Sequence, residues 1–194
     1  MMKKGLIILM IYSITRIVIS CCNGVEEGFN FNYSKITLTT GGKIINNVVN
    51  QSDSILYSDF VVQIYFDYTK VVQTIRKSSF DLYAFDCKPL YESVKKIKDL
   101  KVITIGDLNN QHLSGSEVDV DYKVYGYTDM DFTGTKDFVM KHLNNRTSHK
   151  PQEIAYFKLR YKPTANDFHR FSVRIEFDDN TILTDTTRLI YIKE

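Results

Sequence analysis

The 194-residue sequence has no Trp, three Cys, three Pro and nine Gly. Three cysteines cannot build the two to four bridges of a disulfide-stapled scaffold. So little Pro and Gly excludes a collagen-like or low-complexity chain. An excess of one charge is missing too, since 25 Lys and Arg face 23 Asp and Glu, a formal +2. A nucleic-acid partner therefore has no support from the whole-chain charge. Also missing are Gly-x-Ser-x-Gly, a phosphate loop, His-Glu-x-x-His and a dinucleotide fingerprint. His112, His142, His149 and His169 are scattered, and none stands at metal-ligand spacing from another ligand. The chain thus names no catalytic residue, no metal site and no cofactor. What it does have is 43% hydrophobic residues, with thirteen Tyr and twelve Phe, in a length that suits one domain.

The first twenty residues read as an address. Lys3 and Lys4 precede an apolar stretch from Gly5 to Ile14, and Ser13, Thr15 and Arg16 interrupt it well short of the ~20 residues that span a bilayer. The segment ends at Val18-Ile19-Ser20-Cys21. An aliphatic residue, any residue, a small residue and Cys resembles the lipobox of bacterial lipoproteins. The resemblance implies cleavage before Cys21, which becomes the lipidated first residue, with Cys21 carrying the acyl chains, palmitate among them. A plain signal peptide and an uncleaved signal anchor are the alternatives. Removing residues 1–20 takes away Lys3, Lys4 and Arg16 and no acid, leaving 22 bases against 23 acids. Residues 21–28 are polar and carry two glycines, as a flexible tether does. Glu26-Glu27 resembles the acidic pair behind the lipidated Cys of surface-exported lipoproteins of Bacteroidetes. The expected place is the outer membrane, on the periplasmic or the surface face.

From residue 29 to 194 the pattern is mostly of period two. Phe29 to Thr40 alternates and meets a turn signal at Gly41-Gly42, and Ile44 to Val49 is a shorter apolar run. In Phe60 to Tyr68 both faces are partly apolar, which suits a central strand. Further strands are expected at Asp81 to Asp86, Lys101 to Ile105, Val118 to Tyr127, Glu153 to Tyr161, Arg170 to Phe177, Thr181 to Thr184 and Arg188 to Ile192. Asp178-Asp179-Asn180 tolerates turn geometry and predicts a C-terminal hairpin. Helical spacing is limited to Lys136 to Leu143 and Leu90 to Ile97. Eight to ten strands with one or two short helical insertions predict a mainly β fold, a single β-sandwich, immunoglobulin-like or related.

Asp119-Val-Asp121, Asp129-Met-Asp131 and Asp178-Asp179 look like calcium ligands but lack the central Gly and terminal Glu of a calcium loop, so a solvated face is the default. With Cys21 lipidated, Cys22 and Cys87 remain as a candidate disulfide, worth about 3–4 kcal/mol by chain entropy; a buried free thiol at Cys87 is the alternative. Tyr122, Tyr125 and Tyr127, with Phe132 beyond, can stack on sugar rings or simply fill a tryptophan-free core.

Ala84-Phe85-Asp86-Cys87-Lys88-Pro89, Asp107-Leu108-Asn109 and His112-Leu113-Ser114-Gly115-Ser116-Glu117 carry a second resemblance. They are similar to segments of a group of Bacteroidetes lipoproteins classed as a domain of unknown function. That likeness spans nearly all of the mature chain and implies no activity. Asp53-Ser54-Ile55 and Asp185-Thr186-Thr187 also resemble that phylum's O-glycosylation pattern, which implies Ser54 and Thr186 as acceptors. The expectation is a lipid-anchored cell-envelope protein with a binding or structural role. Its partners are the membrane, through the anchor, and a carbohydrate or protein ligand, with no nucleic acid. The alternatives are an envelope-associated hydrolase of polysaccharide and a subunit of a fimbria-like assembly.

Overall fold

The computed structural model describes residues 28–45, 48–71, 91–124, 134–145, 154–164 and 167–193. Along them run β1 (Asn30–Ile45), β2 (Val48–Asn50), β3 (Ser54–Leu56), a 3-10 turn at Tyr57–Asp59, β4 (Phe60–Val71), β5 (Glu92–Ser93), β6 (Ile97–Ile105) and β7 (Val120–Val124). Helix α1 (Lys136–Asn144) follows, then β8 (Ile154–Leu159), β9 (Asp167–Phe177), β10 (Ile182–Thr186) and β11 (Ile190–Lys193). One sheet is ordered β2-β1-β4-β8-β7, with β5 beside β1. The other is ordered β10-β9-β11-β3, with β6 on β9. The two pack face to face as a β-sandwich, as the alternation predicts.

The core follows from that alternation. Phe60, Val62, Ile64 and Phe66 of β4 meet Phe171, Val173, Ile175 and Phe177 of β9 in one apolar cluster. Burial of such side chains is worth roughly 1.5–3 kcal/mol each, which sets the register of both strands. β4 lies between β1 and β8, the central position its two apolar faces imply. The outer face of β4 is covered near its start. There Val49, Val61 and Tyr156 form a second, smaller cluster, and the Val49 N–H donates to Gln63 Oε1 at 3.4 Å.

Two expectations need correction at this corner. Gly41-Gly42 is no turn, because β1 runs through both and pairs them with Val61 and Phe60. The bare backbone serves a close approach instead, since a Cβ on Gly41 would stand 2.1 Å from the Asn50 carbonyl oxygen. Ile44 to Val49 is likewise not one strand, as it holds the end of β1 and the start of β2, paired antiparallel. A third correction concerns Leu90 to Ile97. Three apolar residues at helical spacing cannot nucleate a helix alone, and pairing with the sheet wins. Glu92 and Ser93 pair parallel with Asn30 and Phe31, Ile97 opens β6, and Val94 is exposed. The strand expected at Asp81 to Asp86 lies outside the described residues.

The other expected helix forms as α1. Thr135 Oγ1 accepts from the Phe138 N–H, and Val139 and Leu143 face the core. At its far end the Asn144 amide brackets the edge of β6, accepting from the Ile97 N–H at 2.7 Å and donating to the Ile97 carbonyl at 2.8 Å. The C-terminal hairpin also forms, with Ile182 opposite Glu176 and Asn180 at φ 63°.

The registers give the sandwich two ends. At one, Phe29 enters β1, Lys95 N–H donates to Asn32 Oδ1, and the hairpin turn at 178–180 sits against Lys95 and Lys96. At the other, Arg188 Nε reaches Thr40 Oγ1, and β6 ends at Ile105 opposite Arg170. The ten residue steps from Asn30 to Thr40 separate the ends by about 30 Å at strand rise. The first, where the expected tether of residues 21–28 would join, is the tether end, and the second is the loop end.

Candidate functional site

Beyond Ile105 the chain makes a loop whose shape is written in short polar side chains. Asp107 Oδ1 accepts from the Ser114 N–H at 2.8 Å, and Ser114 Oγ accepts from the Gly106 N–H at 3.0 Å. Asn109 Oδ1 is the hub, accepting from the N–H groups of Gln111 and His112 and standing 2.9 Å from His112 Nδ1. Gly115 and Ser116 then return to the edge of β6 by main-chain bonds to Thr104. The Thr164 N–H donates to the Leu108 carbonyl at 3.0 Å and ties in the segment leading to β9.

Between these two segments is an open notch of about 160 Å3, lined by Asp107, Leu108, Asn109, Asn110, Leu113, Thr164, Asp167 and His169. Ligand pockets usually enclose about 300–1,000 Å3, so the notch is a shallow recess below that range. His169 forms part of its buried wall, its ring stacked at 6.5 Å on Phe171. The two carboxylates are each held by one oxygen, Asp107 by Ser114 and Asp167 by its neighbour, the Phe168 N–H, at 2.6 Å.

The same end of the sandwich exposes apolar side chains, Leu113 of the notch wall among them. Of nine large apolar residues exposed among the described residues, six stand at the loop end: Leu56, Ile105, Leu113, Tyr161, Phe168 and Leu189. Leu113 and Phe168 are the most open, at 58% and 57%. The Tyr161 ring rests on His112 at 5.4 Å, and Phe168 meets Tyr191 edge-on at 5.0 Å.

The residues singled out in sequence scatter. Cys21, Cys22 and Cys87 lie outside the described residues, as do His149, Asp129, Asp131, Tyr125, Tyr127 and Phe132. Tyr122 faces the core rather than solvent, and burial pushes its phenol well above the usual range. Ser54 sits in β3 with its Oγ covered, and Thr186 is exposed at the end of β10. Of the two expected acceptors, Thr186 is therefore accessible in the folded protein and the Ser54 hydroxyl is not. Asp121 pairs with Arg160 at 2.7 Å, and Asp179 pairs with Lys95 at 2.6 Å. The hydrogen bonds from Lys95 and Thr181 bring the Asp179 carboxyl down to about 2. At Asp99 burial pushes upward, but the ammonium groups of Lys136 and Lys101 outweigh it and hold the carboxyl below its ordinary value. Among the described residues no three His, Cys, Asp or Glu gather as a metal centre would require.

The sequence offered Asp107 to Glu117 only as turn chemistry. That Asp167, Thr164 and His169 face it depends on β6 and β9 being neighbours, which no local pattern states. No family model, curated protein or solved structure matches the chain.

Proposed function

We propose that this is a cell-envelope protein, held at the outer membrane by lipid on Cys21, that binds a ligand with the loop end of its sandwich. The placement of two features carries the proposal. The described chain enters the fold at Phe29, and the notch, together with six exposed large apolar residues, lies at the opposite end of the strands. Clustered apolar exposure of this kind marks interaction surfaces. Several acyl chains hold a soluble domain to a bilayer without a spanning helix, and no helix among the described residues is long and apolar enough to cross one.

Two measurements test the two halves. Labelled palmitate should enter the wild-type chain in growing cells and be lost in Cys21→Ala; labelling that survives the substitution removes the anchor. A photo-crosslinking residue at Leu113 or Phe168 should give adducts in intact cells, and one at Val94, exposed at the tether end, should not. Equal yields at all three positions overturn the binding end.

The notch also gathers Asp107, Asp167 and His169, residue types that a polysaccharide hydrolase uses, and this keeps hydrolysis as a second proposal. Release of reducing ends from envelope polysaccharide, lost in Asp167→Asn, would promote it over binding. A fimbria-like subunit finds less support. The first and last strands of the described residues are both paired within the chain, β1 along β4 and β11 between β9 and β3, so neither waits for a donated partner.

A further inference from the structure

We infer that the notch takes a single neutral sugar ring, the terminal or branch unit of a glycan. The inference rests on the proposal that the loop end is a binding end, and it names the ligand class of that site.

Four polar groups of the lining are uncommitted among the described residues: Asp107 Oδ2, Asp167 Oδ2, the Asn110 amide and the Thr164 hydroxyl. Asp107 Oδ1 and the Asn109 amide are spent on the shape of the loop. Asp107 Oδ1 holds Ser114, and Asn109 Oδ1 holds Gln111 and His112, while Asn109 Nδ2 reaches the Lys162 carbonyl at 3.4 Å. This division of labour leaves two acceptor-only carboxylates, an amide that both donates and accepts, and a hydroxyl that does the same. A sugar ring presents alternating hydroxyls of that mixed character around its rim. Its C–H face is apolar, and Leu108 and Leu113 supply an apolar wall beside the polar groups.

The volume of about 160 Å3 suits one ring, and the loop bonds hold the polar groups in place before a ligand arrives, which lowers the ordering cost of binding. Tyr161, exposed on one flank with its ring on His112, is placed to stack on a second unit. Charge sets the sign of the ligand. Neither Asp107 nor Asp167 has an ion-pair partner among the described residues, so the notch disfavours a uronate or a phosphorylated sugar.

The test is a titration of the full chain carrying Cys21→Ala, followed by amide NMR. The Ser114 and Phe168 N–H groups report directly, because each is hydrogen-bonded to one of the two carboxylates. The probes are the methyl glycosides of glucose, galactose and mannose, with glucuronate and arginine methyl ester as charged controls. At least one neutral glycoside should shift both amides saturably, and glucuronate should bind at least tenfold more weakly. Asn110→Ala, an exposed side chain with no role in folding, should weaken the neutral probe about tenfold without altering thermal unfolding. Three outcomes overturn the inference: no neutral glycoside moves both amides, glucuronate binds as well, or only the arginine ester binds. The crosslinking contrast of Leu113 with Val94 is read separately. Adducts at Leu113 without sugar binding reject the sugar and keep the binding end, while equal adducts at both positions reject the binding end itself.

Discussion

The two ends of the sandwich are finished in opposite ways. At the tether end the main chain is bracketed by side chains: Asn144 on Ile97, Asn32 on Lys95, and Asp179 on the Lys95 ammonium at 2.6 Å. Lys96 adds bonds to Glu92 and to the Asn144 carbonyl. Two of the nine exposed large apolar residues, Val94 and Ile182, lie there. At the loop end Arg188 and Thr164 still tie separate segments together, but the bonds of Asp107, Ser114 and the Asn109 side-chain carbonyl run within one loop and leave apolar groups outside. The lesson is that polar side chains can either close an end of a fold or shape it. Closure ties different strands together, whereas shaping makes one loop rigid and keeps its surface available.

The contrast can be broken from either side. The largest effect is expected from Gly41→Ala, since its Cβ would lie 2.1 Å from a backbone oxygen that cannot retreat without displacing β2. A loss of about 3 kcal/mol or more follows, measured as a drop in the urea midpoint. Asn144→Ala should open the tether end, leaving the Ile97 N–H and carbonyl unpartnered at a cost of about 2–3 kcal/mol. Hydrogen exchange should then quicken along β6 as well as at the helix end. Asn109→Ala removes the hub of the notch loop and should cost about 1–2 kcal/mol. Its exchange should quicken only between residues 106 and 117, and spread to β6 would show that shaping and closure are not separate. Acid gives the smallest effect. Burial lowers the His142 pKa below its ordinary 6.5, so its contribution is present above pH 6.5 and is lost as pH falls through the folded value. The lowered Asp179 carboxyl adds stability above about pH 4 that disappears on approach to pH 2. Both losses fall on the tether half, so Lys95→Ala should flatten the Asp179 part of a stability curve between pH 4 and 2.

Most strands were readable because one face of each is buried and the other is wet. Phe171, Val173, Ile175 and Phe177 show it without interruption, and Asn180 then adopts the left-handed backbone that its residue type tolerates. The misreadings share a cause. Gly41 and the segment from Glu92 to Ile97 take their conformation from chain far away in sequence, Asn50 for the glycine and Asn30, Phe31 and Asn144 for the segment. Local spacing carries no record of such partners. The notch was half legible: its loop could be seen as turn residues, but Thr164, Asp167 and His169 join it only through the pairing of β6 with β9. Tyr122 was legible as a residue that fills a tryptophan-free core, and it is buried there rather than open to a sugar.

The length of β1 has a mechanical consequence. It begins beside Phe29, where the chain comes in from its N-terminal segment, and pairs with β4 at twelve register positions from Asn30 to Gly42. A pull on Phe29 against a load held at the loop end runs along the strand axis, so the ladder is sheared as a unit and its bonds share the force. A hairpin tugged from its open end would instead unzip pair by pair. Forced unfolding is governed by the unfolding rate, so under the proposed binding at the loop end this orientation is the one that resists a pull along the strands.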